Sequence, residues 1–112
     1  LAPTPRWSEV DFGRGRVGFV ADVLWRLETS AAVGRVELPL HLEWSRSHRV
    51  VELWDRRQRL RAYEAVLREG RPVDIERFVD GALLVDAWDD LVLPIALRAA
   101  WHPLIDAARS DD

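Results

Sequence analysis

The chain has 112 residues, no cysteine and a net charge of −3, with all sixteen basic residues arginine. The length suits a single domain, 1–112, and the lack of cysteine excludes disulfides and thiolate metal sites. The charge excludes the strongly basic footprint of a dedicated nucleic-acid binder, while a 48% apolar share with six tryptophans is enough for one core.

The opening residues Leu1-Ala2-Pro3-Thr4-Pro5-Arg6-Trp7 have neither the basic start nor the apolar stretch of a signal peptide. Two prolines so close together predict a loose leader over residues 1–10. Phe12-Gly13-Arg14-Gly15-Arg16 lacks the phosphate-loop pattern and is expected to be a turn into the first strand. From Val17 the alternate residues Phe19, Ala21, Val23, Trp25 and Leu27 are all apolar, the period of a half-buried strand. A helical stripe of Val17, Val20, Leu24 and Leu27 competes with that reading. The content of valine and aromatics favours the strand.

A second alternation follows, with Val36, Leu38, Leu40, Leu42 and Trp44 on one face and Glu37, Pro39, His41 and Glu43 on the other. Pro39 has no N–H and should sit at an edge or a bulge. A polar turn at Ser45-Arg46-Ser47-His48 leads to a third strand over 49–54. The expectation is an antiparallel β-meander over about residues 16–54.

The period then changes. Asp55 is placed to cap a helix carrying Leu60, Tyr63, Val66 and Leu67 at helical spacing, ended by Gly70 and Pro72. Asp74 is read as the cap of a second helix, Asp80-Gly81 as a break or a fresh start, and Pro94 as the start of a last helix that Pro103 kinks or ends. With strands first and helices after, the fold class is α+β, the meander packing against three or four C-terminal helices in 55–108.

Charge is uneven: residues 1–73 hold thirteen arginines against ten acids, and residues 74–112 hold three against nine. Such asymmetry can orient a partner or a second copy of the chain. The densest basic feature is Arg56, Arg57, Arg59 and Arg61, preceded by Arg46 and Arg49. Arg49, Arg56, Arg57 and Arg61 are candidates for gripping phosphates or a protein partner, with Trp54 and Trp7 as interface anchors and Trp44 as a further stacking candidate. Trp25, Trp44, Trp88 and Trp101 lie on apolar faces and are assigned to the core.

Asp86 and Asp90 stand one helical turn apart beside Asp89 and could hold a hard cation, although a phosphotransfer site also needs a third carboxylate and a phosphate-gripping loop. His41, His48 and His102 do not form a metal-ligand spacing, and no metal or cofactor is expected. Thr4, Ser8, Thr29, Ser30 and Ser45 fall in predicted loops without an activating partner, and no nucleophile motif occurs.

The composite expectation is a small cytoplasmic, non-catalytic interaction or regulatory domain, antitoxin-like in character. The arginine bias points to a GC-rich bacterial source. The partner is another protein or a second copy forming a homodimer. A nucleic-acid-binding regulator using the Arg56–Arg61 helix is the alternative, and a metal-dependent phosphotransfer enzyme using Asp86 and Asp90 is the second. No run is apolar and long enough to cross a bilayer, so no membrane partner is expected.

Overall fold

The computed structural model describes residues 4–110; the first three residues of the expected leader lie outside that range. The α+β class holds, with helices packed on an antiparallel hairpin. The pairing of the strands differs from the expected meander. Two separate two-stranded sheets form: β1 (Trp7–Gly13) with β2 (Arg16–Ala21), and β3 (Arg35–Glu37) with β4 (Val50–Glu52).

The hairpin turns at Gly13, Arg14 and Gly15, all at positive φ, a conformation that suits glycine and forces Arg14 into the left-handed region. Its register pairs Trp7 with Ala21 and Asp11 with Val17. Residues 7–10, expected in the leader, are therefore strand. Trp7 pairs edge-on with Trp101 at 6.1 Å and lies 5.5 Å from Trp25, forming one side of an aromatic triad. The apolar contact available to Trp7 outweighs the loosening effect of the two nearby prolines.

The strand expected over 17–27 ends at Ala21, although its inward pattern continues through buried Trp25. Backbone pairing passes from a neighbouring strand to the junction between two helices, α4 (Pro72–Phe78) and α5 (Gly81–Ala87). Gly81 N donates to Trp25 O at 2.8 Å, and the Trp25 indole donates to Val79 O at 2.7 Å. Leu27 N donates to Asp80 Oδ1 at 2.8 Å. A Cβ on Gly81 would lie 2.4 Å from Trp25 O, so only glycine permits this approach.

The strand expected over 36–44 also stops early, at Glu37. Ladder bonds extend it slightly, with Leu53 N to Gly34 O and Leu38 N to Arg49 O. Pro39 then supplies no N–H and its carbonyl accepts from Leu42 N and Glu43 N, which rolls the chain into a turn. Leu38 and Leu42 stay buried while Leu40 is 62% and Trp44 84% exposed. Trp44 is thus a surface residue, not a core residue, because the turn broke the period on which its assignment rested. Single-turn helices α1 (Thr29–Ala32) and α2 (Arg46–Arg49) flank these strands.

The main helix α3 (Arg56–Glu69) starts as expected, with Asp55 accepting from Arg57 N at 3.0 Å, and stops at Gly70. Asp74 is not the cap of α4. It sits in the first turn and reaches back to accept from Arg71 N at 2.9 Å. Asp80 does cap α5, accepting from Leu83 N at 3.1 Å. After a 3₁₀ turn at Trp88–Asp90, α6 runs from Ile95 to Ser110 straight through Pro103. Proline inside a helix costs about 3 kcal/mol, yet Leu97, Trp101 and Ile105 form one buried stripe spanning it. Burying three large side chains at roughly 1.5–3 kcal/mol each outweighs that cost. The Trp101 indole also donates to Phe19 O at 3.0 Å, which ties α6 to β2. Among the described residues, no helix is long and apolar enough to cross a membrane.

The Asp80 side chain is fully buried and accepts from Arg26 Nε, Leu27 N and Leu83 N. Asp80→Ala removes a helix cap worth about 1 kcal/mol and strands the Leu27 N–H at a cost of about 1–3 kcal/mol. Urea denaturation should show a loss of roughly 2–4 kcal/mol, with a smaller loss for Asp80→Asn.

Tyr63, the only tyrosine, accepts from Asp80 N at 2.9 Å, and burial pushes its phenol up to about 12. An unfolded phenol titrates near 10, so between about pH 10 and 12 the unfolded chain has lost a proton that the folded chain retains. Stability therefore falls as pH rises through that window. Phenolate absorbance should appear near pH 12 or at unfolding, and Tyr63→Phe should flatten the alkaline slope.

Candidate functional site

The arginines predicted to act together are divided by the structure into two groups. Arg56 reaches Asp86 Oδ2 at 3.2 Å, Asp86 O at 3.1 Å and Asp90 Oδ2 at 2.9 Å. Its hydrogen bonds to Asp90 and Asp86 raise the guanidinium above its ordinary value. Arg59 is buried, donates to Leu53 O at 2.9 Å and lies 3.8 Å from Asp86. Arg49 is held by Glu37 Oε1 at 2.9 Å and Leu38 O at 3.2 Å. These three serve the fold. Arg57 and Arg61 make no side-chain hydrogen bond or ion pair among the described residues.

The carboxylate cluster is correspondingly engaged. Asp86 and Asp90 share the Arg56 guanidinium, and Asp89 accepts from Arg109 at 3.2 Å. No group of three or more potential metal-ligating side chains occurs among the described residues. A cation at Asp86 and Asp90 would have to displace Arg56, so calorimetry with Mg²⁺ or Mn²⁺ should show no saturable heat.

Of the two candidate anchors, Trp54 is 65% exposed beside the start of α3, whereas Trp7 is half-buried in the aromatic triad. The sequence reading missed a cleft between the 39–45 turn and the corner where α3 meets α4. It comprises two adjoining hollows of about 450 and 370 Å³ that share His41 and Glu69. Trp44, Leu40 and Arg68 line one hollow, and Arg71, Val73 and Asp74 line the other. Pro39 was the available signal, since a proline within an alternating run implies that the side chains after it need not keep their expected faces.

Most polar groups in the cleft are engaged. Asp74 Oδ2 lies 3.0 Å from His41 Nε2, so the carboxylate that braces the start of α4 also fixes the imidazole. Glu69 pairs with Arg16 of the hairpin, and Glu43 accepts from Ser45 N at 3.1 Å. The side chains of Arg68 and Arg71 have no partner among the described residues. An Asp–His pair can orient a general base, but the lining residues supply no hydroxyl or thiol for it to activate. What the cleft does offer is apolar surface, a large exposed indole and two uncommitted guanidinium groups.

Comparison with protein families, curated proteins and solved structures finds no match for this chain.

Proposed function

We propose that the chain is a non-catalytic protein-interaction domain whose partner surface is the cleft at the 39–45 turn. The observation that carries this reading is the position of Trp44, 84% exposed beside Leu40 at 62%, on a cleft whose other hollow is lined by Val73 at 68%. Tryptophan and arginine are the residues most enriched at binding hot spots, and here Trp44 lines the same hollow as Arg68. The turn is braced from beneath by buried Leu38 and Leu42 and from the side by His41 and Asp74. The indole is therefore presented on a prepared platform, which lowers the ordering cost of association. The partner is another protein or a second copy of the chain, and the role is regulatory. The nucleic-acid reading is supported by Arg57, Arg61 and exposed Trp54; it requires affinity that falls steeply with salt.

A photo-crosslinking residue at position 44 should give a discrete protein adduct in the source cells, whereas the same residue at Glu9 on the hairpin should not. Trp44→Ala should leave stability within about 0.5 kcal/mol while weakening partner binding by 2 kcal/mol or more, as expected for an exposed hot-spot residue. Turnover by the purified chain that His41→Ala abolishes would sink the non-catalytic reading.

A further inference from the structure

We infer, resting on the interaction reading above, that the outer face of α3 is the docking track for an acidic segment of the partner protein that also carries apolar side chains. At 3.6 residues per turn, Arg57, Arg61 and Arg68 fall within about 40° of one another around the helix, opposite the buried Val66 and Ala62. At 1.5 Å per residue the row is about 16 Å long. None of the three guanidinium groups has a hydrogen-bonding or ionic partner among the described residues, while Arg56 of the same helix is held by Asp86 and Asp90 and Arg59 by Leu53 O.

Apolar surface borders the row. Glu64, between Arg61 and Arg68, accepts from Val92 N at 2.6 Å, which draws the 91–94 connection against the helix. Val92 is 76% exposed, and Ile95, at the start of α6, is 90% exposed. At the far end Arg68 shares its hollow with Trp44. The surface thus sets three free positive charges beside exposed Val92 and, at the far end, exposed Trp44, a pattern complementary to an acidic amphipathic segment.

Two other occupants fit less well. A nucleic acid strand carries phosphate along its whole length and has no aliphatic side chains to set against the exposed Val92. A second copy would have to present a matching row of free carboxylates, but the densest acidic cluster, Asp86, Asp89 and Asp90, is held by Arg56 and Arg109.

The test uses fluorescence anisotropy with three labelled probes: an amphipathic helical peptide of glutamate and leucine, the same peptide with lysine at every glutamate, and single-stranded oligothymidine. The wild-type chain should bind the glutamate peptide more tightly than either other probe. The triple variant Arg57→Glu, Arg61→Glu, Arg68→Glu should bind it about tenfold or more weakly, given what three exposed charge pairs contribute together, and should gain affinity for the lysine peptide. Arg14→Glu on the hairpin turn should change neither affinity, and thermal unfolding should show all variants folded. Equal binding of the two peptides by the wild type, or full retention of glutamate-peptide binding by the triple variant, overturns the inference. Tighter binding of oligothymidine that the triple variant loses overturns it in favour of nucleic acid. Persistence of the position-44 adduct in the triple variant at full yield would also refute the acidic track while leaving the interaction reading standing.

Discussion

The fold depends on a junction of two residues, Asp80 and Gly81, where the chain stops one helix and starts the next. Asp80 accepts hydrogen bonds from a residue of its own helix and from Arg26 and Leu27 of the 22–28 segment, 54 and 53 positions earlier in sequence. Its backbone N–H reaches the buried Tyr63 hydroxyl in α3. Gly81 lets the same junction touch the Trp25 carbonyl, an approach any side chain would block. The carboxylate and the missing Cβ therefore join the 22–28 segment to α5, and the Asp80 backbone N–H ties both to α3. A buried carboxylate is costly unless its oxygens are satisfied. Here two backbone N–H groups and a guanidinium satisfy them, and the requirement for those partners fixes where the 22–28 segment lies.

Charge follows a second constraint. The first turn of α3 begins Arg56-Arg57, and cations there oppose the helix dipole. Asp55 at the cap, held below the usual carboxylate range by the Gln58 amide, offsets part of that cost. Asp86 and Asp90 offset more by folding against Arg56. The basic first part and acidic last third of the sequence thus meet in ion pairs at the surface of the molecule. The side chains of Arg57, Arg61 and Arg68 on α3 and of Arg71 just beyond it take no part in this closure and have no hydrogen-bonding or ionic partner among the described residues.

Much of this architecture was legible from the sequence because local signals and packing agreed. Asp55 as a cap rests on a side-chain acceptor, Gly70 as a stop on the room a Cβ would take from Val66 O, and Gly13-Arg14-Gly15 as a turn on positive φ. Strand pairing was harder to read, since an alternating pattern reports which side faces the core but not what the backbone bonds to. Trp25 kept its inward face while its carbonyl went to a helix junction. Pro39 broke the second alternation, and a proline's missing N–H is compatible with either a bulge in the strand or its end. Pro103 erred in the other direction, because the buried stripe on either side of it held the helix together.

The tryptophans show how fold and candidate site are linked. Trp7, Trp25 and Trp101 close one end of the core, and two of their indole N–H groups bond to backbone carbonyls of other elements. The 39–45 turn is built differently. There Pro39 ends β3, Leu38 and Leu42 turn inward, and the chain between and after them projects Leu40 and Trp44 outward. His41 cannot swing freely, because the Asp74 that holds it is itself bound to Arg71 N at the start of α4. Side chains that are exposed yet held in this way lose little freedom on meeting a partner. The break in the strand pattern is thus the same event that builds the surface, and the physical cause of both is the absent N–H of Pro39.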